Sequence, residues 1–217
     1  MILKVLDKKQ ETNNIFSLIL EKPKDFSFYP GQYLDVELPV KDNFGSTRAF
    51  TISASPTEDF LMITTKKGVS KFKKAMKNLE AGNTIITSHP AGTFTLDESQ
   101  SAVFIAGGVG ITPFRSMIKY AVGQKLTTPI TLIYLNSTDN FLFKKELDFW
   151  KKVYPKLKIV YIVTNKDNQS IYLPPTTYHL PIYYLAGPPG MVDDFERTLL
   201  TLGVDQTNIR YDRFDGY

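Results

Sequence analysis

The sequence predicts two domains of different class: an antiparallel β-barrel over residues 1–97, followed by an α/β domain with a parallel sheet over residues 98–217. Three observations carry this. The first half is a series of short strand-like segments interrupted by a single amphipathic helix. From about residue 98 the period changes, and apolar runs alternate with helical segments. Between Phe104 and Pro113 an apolar run meets a glycine turn and then a helix, the junction around which an α/β domain is organised. The boundary falls near Leu96–Gln100, with no low-complexity linker or internal repeat.

In the first half, Ile15–Leu20 and Tyr33–Leu38 read as strands, the second with clean alternation behind a Pro30-Gly31 turn. Asn43-Phe44-Gly45-Ser46 is a loop, and strands follow at Arg48–Ser53, Leu61–Thr65 and Ile85–Thr87, with a turn at Ala91-Gly92. Short strands at this spacing suit a small antiparallel barrel. The helix is predicted from Ser70, its cap, to Gly82, its stop. Phe72, Ala75, Met76 and Leu79 form its apolar stripe. Lys66, Lys67, Lys71, Lys73, Lys74 and Lys77 surround it with no acid among them. Lys73 and Lys77 are expected on the solvated face.

In the second half, strands are predicted at 102–106, 130–135, 158–164 and 182–186, and helices near 112–122, 143–152 and 189–202. Gly107, Gly108 and Gly110 remove side chains at the sharp turn; Thr112 is the expected cap of the next helix and Pro113 its first residue. Phe114, Met117, Ile118 and Ala121 recur at helical spacing, and Gly123 ends the helix. A helix start behind glycines is a seat for an anion such as a dinucleotide pyrophosphate. Ala186-Gly187-Pro188-Pro189-Gly190-Met191 follows another strand, so two backbone-rich turns meet at one sheet edge.

The composition excludes several classes. The chain has 217 residues, a net charge of +4 and no cysteine, which rules out disulfides, thiol catalysis and cysteine-held iron–sulfur clusters within it. His89 and His179 cannot make a His-rich metal site. The basic excess is shared evenly between the two halves, so nucleic-acid binding is not expected. No apolar run is long enough to span a bilayer and Met1–Asp7 lacks the pattern of a secretion signal, so a cytoplasmic location is the expectation.

With these pieces placed, nearly the whole chain resembles the ferredoxin–NAD(P) reductase family, FAD-dependent enzymes with a flavin barrel followed by a nicotinamide-dinucleotide domain. Five ordered motifs carry the resemblance: Arg48-Ala49-Phe50-Thr51, Lys67-Gly68-Val69-Ser70, Gly107–Pro113, Ala186-Gly187-Pro188-x-x-Met191, and Asp212-Arg213-Phe214. It implies that Arg48 pairs with a flavin phosphate, and that Phe50, where the family usually has Tyr, stacks on the isoalloxazine. Thr51 would hydrogen-bond near flavin N5. Thr64, Thr65 and Lys66 would line the ring through their backbone. Gly68, Val69 and Ser70 would hold the pyrophosphate. Gly107, Gly108, Gly110, Thr112 and Pro113 would receive NADH or NADPH with Thr112 near the nicotinamide, and Gly187, Pro188 and Met191 would form the opposite wall. Ala186 stands where many members have Cys. Phe214, or Tyr217 beyond it, would cover the second flavin face and move during turnover, with Asp212 in place of the usual Glu. Ser137 and Lys166 are the candidates for binding a 2′-phosphate; no arginine follows the strand at 130–135, a slight lean to NADH.

The implied function is an FAD-dependent NAD(P)H oxidoreductase. It would pass electrons to a separate acceptor: an acidic ferredoxin or flavodoxin, a hydroxylase component, free flavin or a ferric chelate. The alternatives are an electron-transfer subunit of a larger assembly and a nucleotide-sensing module without flavin.

Overall fold

The computed structural model describes residues 1–164 and 181–214. They form two compact units, one of residues 1–96 together with 115–120, the other of the remaining described residues.

The first unit is built on six strands: β1 (Ile2–Thr12), β2 (Ile15–Glu21), β3 (Tyr33–Asp42), β4 (Gly45–Thr51), β5 (Phe60–Lys66) and β6 (Thr84–Thr87). Their order is β4-β3-β6-β1-β2-β5, with every pairing antiparallel. The chain beyond β4 closes the sheet onto β5 through an Ile52–Ile63 bridge, and Ser53 N–H donates to the Met62 carbonyl at 2.7 Å. Closure removes the exposed edges of an open sheet. Leu3, Val5, Leu18, Leu20, Leu34, Val36, Ile52, Leu61 and Ile63 fill its core with no exposed surface.

Helix α1 (Lys71–Asn78) lies against β3. Eight residues are too few to hold a helix in isolation. Burying Phe72 and Met76 holds it, at roughly 1.5–3 kcal/mol each. Ser70 is the cap, its Oγ accepting from Lys73 N–H at 3.2 Å. The helix ends at Asn78, with Leu79 already extended, so it stops before the predicted Gly82; that glycine sits at φ +95° in the following turn.

The second unit carries a parallel sheet of β7 (Ala102–Gly107), β8 (Ile130–Asn136), β9 (Leu157–Val163), β10 (Ile182–Gly187) and β11 (Ile209–Arg213), in the order β11-β10-β7-β8-β9. The chain moves outward from β7 through β8 to β9, then returns to β10 on the other side of β7. The topological switch point, where ligands bind in open α/β sheets, therefore lies between β7 and β10. Both strands are buried along their whole length. Helices α2 (Ile111–Gly123), α3 (Lys144–Val153) and α4 (Pro189–Thr201) complete the alternation. Val192, Phe195 and Leu199 of α4 pack on Val103, Ile105, Tyr183 and Leu185. Phe104 stacks on Phe114 of α2 at 4.6 Å and meets Tyr184 edge-on at 5.3 Å.

Two strands were not predicted. β1 hides its alternation because Ile2 and Leu6, which point outward, are apolar and exposed. β11 reads Ile-Arg-Tyr-Asp-Arg, a polar edge strand with only Ile209 buried. The helix after the glycine turn also differs from expectation. A short 3-10 turn, Gly108–Gly110, precedes α2, so Thr112 is the second residue of the helix rather than its cap and Pro113 is the third.

Candidate functional site

In the first unit, the predicted residues gather where β4, β5 and the start of α1 come together. Arg48 and Phe50 share one face of β4 and are buried, 6% and 8% exposed; Thr51, also buried, points to the other face. Phe50 stacks on Phe72 at 6.0 Å and Arg48 lies 5.1 Å from the same Phe72 ring. Arg48 forms an ion pair with Asp42 and donates to the carbonyls of Phe44 and Thr47, each at 2.7 Å. Asp42 also accepts from Phe44 N–H at 3.0 Å and Phe72 N–H at 3.4 Å. The Phe44 amide, with Arg48 beside it, holds its carboxyl below the usual range. Next to them is a shallow pocket of about 250 Å³ lined by Asp35, Phe44, Thr47, Arg48 and Ala49.

Thr64 directs its hydroxyl to Ser17 at 2.8 Å, and Lys66 is exposed. Gly68 and Val69 are exposed at the approach to α1, Val69 by 89%. Phe72 and Lys73 amides have protein acceptors in Asp42 and Ser70. Those of Val69, Ser70 and Lys71 have none among the described residues. Three open amides in succession at a helix start, beside a guanidinium, suit a phosphate group.

Lys73 is not on the solvated face where the spacing put it. It is half-buried, and its Nζ donates to Thr65 Oγ1 at 2.6 Å. Lys71, Lys74 and Lys77 are exposed.

In the second unit, the structure brings the two predicted turns into direct contact at the switch point. A Cβ on Gly110 would stand 2.2 Å from the Ala186 carbonyl oxygen and 2.7 Å from Gly187 Cα. One on Gly107 would meet Met191 Sδ at 2.4 Å. Gly187, at φ +151°, lies against Gly107, whose Cα is 3.0 Å from where its own Cβ would be. These glycines therefore let two strand ends close on each other. Gly108 supplies a left-handed φ of +54°, and its carbonyl accepts from the buried Tyr134 hydroxyl at 2.9 Å. Tyr134 ties β8 to the turn, a contact that no motif signals. Thr112 is 1% exposed, Met191 half-buried and Pro188 exposed as the residue preceding α4.

Phe214 follows β11 and donates its N–H to the Gly187 carbonyl at 2.9 Å, which places the chain end beside the same turn. Asp212 pairs in register with Ala186, and burial pushes its carboxyl up to about 6. Its ordinary value is ~3.9, so the folded state is favoured fully below that pH and the burial cost grows as pH rises through 6. Asp212→Asn should therefore stabilise the protein by roughly 2–3 kcal/mol at pH 8 and by almost nothing below pH 4. Urea unfolding at the two pH values checks this; an equal effect at both would place Asp212 in solvent.

Ser137 is exposed. Lys166, His179 and Tyr217 lie outside the described residues. No cluster of metal-ligating side chains occurs among the described residues, and no helix there is long and apolar enough to cross a membrane.

A closed antiparallel barrel followed in the chain by a parallel sheet with paired glycine turns at its switch point is the two-domain architecture of FAD- and NAD(P)-binding reductase folds. Residues 104–197 match the family model described as the oxidoreductase NAD-binding domain. Flavohemoprotein A of Dictyostelium discoideum is 26% identical over 236 residues, covering 97% of this chain and 59% of that protein. The chain thus spans about three-fifths of the length of the curated relatives it matches. Among solved structures, the FAD/NAD-binding domain of nitric oxide dioxygenase from Vibrio cholerae superposes with a TM-score of 0.80 at 22% identity, covering 98% of both chains. A ferredoxin–NADP+ reductase from Neisseria gonorrhoeae with bound FAD and NADP gives 0.81 at 18% identity, also covering 98% of both. These two likenesses establish the fold. In sequence this chain is similar to these flavohemoproteins, and its two-domain fold is that of the ferredoxin–NAD(P) reductase-like FAD/NAD-binding structures.

Proposed function

We propose that this chain takes hydride from NADH or NADPH onto bound FAD and delivers the electrons to a separate acceptor protein, an acidic ferredoxin or flavodoxin. The observation that carries the flavin assignment is the row of open amides at Val69, Ser70 and Lys71 beside Arg48 and Phe50. The flavin, when bound, supplies the hydride acceptor and the one- or two-electron relay. The protein supplies binding and alignment. Arg48 and the Gly68–Ser70 segment hold the phosphates. Phe50 offers apolar ring area to the isoalloxazine, with Thr51, Thr64 and Lys66 along its edge. Gly107, Gly108, Gly110, Thr112 and Pro113 receive the dinucleotide against Gly187, Pro188 and Met191. Phe214, tethered by its N–H to the Gly187 carbonyl, would be the residue that moves as the dinucleotide binds.

Four exposed lysines, Lys66, Lys71, Lys74 and Lys77, favour an acidic partner over a small molecule. The test is an anaerobic reduction followed by an acceptor panel. The FAD-loaded protein should bleach on addition of NADH or NADPH and reduce an acidic ferredoxin or flavodoxin with a rate that falls steeply with salt. A protein that takes up no FAD would sink the flavin assignment. Salt-independent reduction confined to free flavin or ferric chelates would instead make it a small-molecule reductase.

A further inference from the structure

Lys73 stands apart from the rest of its cluster. Its side chain crosses from α1 to Thr65 on β5 and lies with Nζ 5.0 Å from the centre of the Phe50 ring on β4. Gly68 makes room for it, since a Cβ there would come within 2.9 Å of Lys73 Cγ. Arg48 acts on the same spot: its charge, after burial, helps push the Lys73 ammonium down to about 8. The nearby carboxylate, Asp42, is taken by Arg48 and two backbone amides. Lys73 makes no ion pair among the described residues; its acceptor is a neutral hydroxyl. Two neighbouring cations, only one of them paired with a carboxylate, thus lie in a partly desolvated place, an arrangement that costs free energy until an anion joins it.

We propose that Lys73 is a phosphate-binding residue of the flavin site, its ammonium pairing with a phosphate of the flavin nucleotide beside Arg48. This rests on the flavin assignment above. An isoalloxazine that stacks on Phe50 competes with the ammonium for that ring, and the long lysine stem lets the charge swing to the phosphate while its methylenes remain in contact. The phosphate chemistry is common to FAD and FMN and absent from riboflavin, so the three ligands separate a charge contact from a packing one.

The experiment titrates the flavin-free full chain with FAD, FMN and riboflavin, read by flavin fluorescence, in wild type, Lys73→Met, Lys73→Gln and Lys73→Arg. Far-UV circular dichroism and thermal melting control for folding. The two neutral variants should bind FAD about 10- to 100-fold more weakly, the scale of a lost charge-assisted hydrogen bond, and riboflavin with less than about 2-fold change. Lys73→Arg should keep most of the FAD affinity. FMN weakened alongside FAD puts the contact on the phosphate nearest the ring, and FAD weakened alone puts it on the adenylate side; both support the assignment. Wild-type FAD affinity should also fall as pH rises above 8, where the free ammonium loses its proton, and the neutral variants should be flat there. The other charged groups facing it are Arg48 from β4 and Asp42 from β3, whose carboxyl is held below its usual range, and Thr65 from β5 does not titrate. Equal losses for FAD and riboflavin, or no loss for FAD, would overturn the role of Lys73 while leaving the flavin assignment standing. A wild-type chain that binds none of the three flavins would overturn both.

Discussion

Replacing Gly110 by alanine should leave flavin bound and slow its reduction by NADH or NADPH by about 100-fold, the scale of an ångström misplacement at a reacting centre. The added methyl would lie 2.2 Å from the Ala186 oxygen and 2.5 Å from its carbonyl carbon. Both are backbone atoms of a buried strand, so no side chain can swing aside, and the ends of β7 and β10 have to part. Overpacking of this kind costs about 1–3 kcal/mol. Its functional weight comes from location, because the parting occurs at the switch point. Gly190→Ala is the control, since its Cβ meets nothing within 4 Å and it lies in the first turn of α4. Anaerobic stopped-flow reduction, with flavin content measured on the same samples, reads both effects. Wild-type kinetics in Gly110→Ala would remove this turn from the dinucleotide site.

Arg115→Ala should be the most damaging substitution for stability, at about 3–5 kcal/mol, the range for breaking a buried pair from one side. The side chain is 3% exposed and forks onto Glu58 at 2.9 and 3.2 Å, while also donating to the Ser53 carbonyl at 2.9 Å. Removing it leaves the Glu58 carboxylate, 11% exposed, with the Ser55 N–H but no cation, and takes the Arg115 donor from the Ser53 carbonyl. For a chain of this size the melting temperature should drop by on the order of 10 °C. Arg115→Lys should recover only part of that, since an ammonium cannot bridge both carboxylate oxygens. A melting temperature unchanged by Arg115→Ala would show that the pair does not form.

Much of the fold was legible because hydrophobic periods differ between the halves. β3 alternates Leu34, Val36 and Leu38 inward, while β7 is apolar throughout, and that contrast alone separates a half-exposed antiparallel sheet from a buried parallel one. The glycine motifs were legible as turns. What each glycine accommodates was not, because Met191 and Ala186 approach Gly107 and Gly110 from 84 and 76 residues further along the chain. Lys73 shows the same limit from the other side. Its place on the helical wheel among polar residues says solvent, and only the arrival of β5 and β4 makes it half-buried. Asp42 and Arg115 carried no sequence signal: an acid at a hairpin and an arginine early in a helix are ordinary until Arg48 and Glu58 are seen opposite them. The start of α2 was misplaced because Thr-Pro is a strong capping pair, and the 3-10 turn at Gly108–Gly110 began the helical path before it.

Residues 115–120 lie some twenty positions beyond the last residue of the barrel's own stretch, yet they complete that unit. During synthesis the strands emerge first and must wait, with Glu58 lacking its cation and the Ser53 and Ala54 carbonyls lacking their side-chain donors, until Arg115 and Ser116 follow them. A gene fragment cut at residue 97 would freeze the nascent chain in that unfinished condition and should yield an aggregation-prone product, whereas one ending after α2 carries its own keystone.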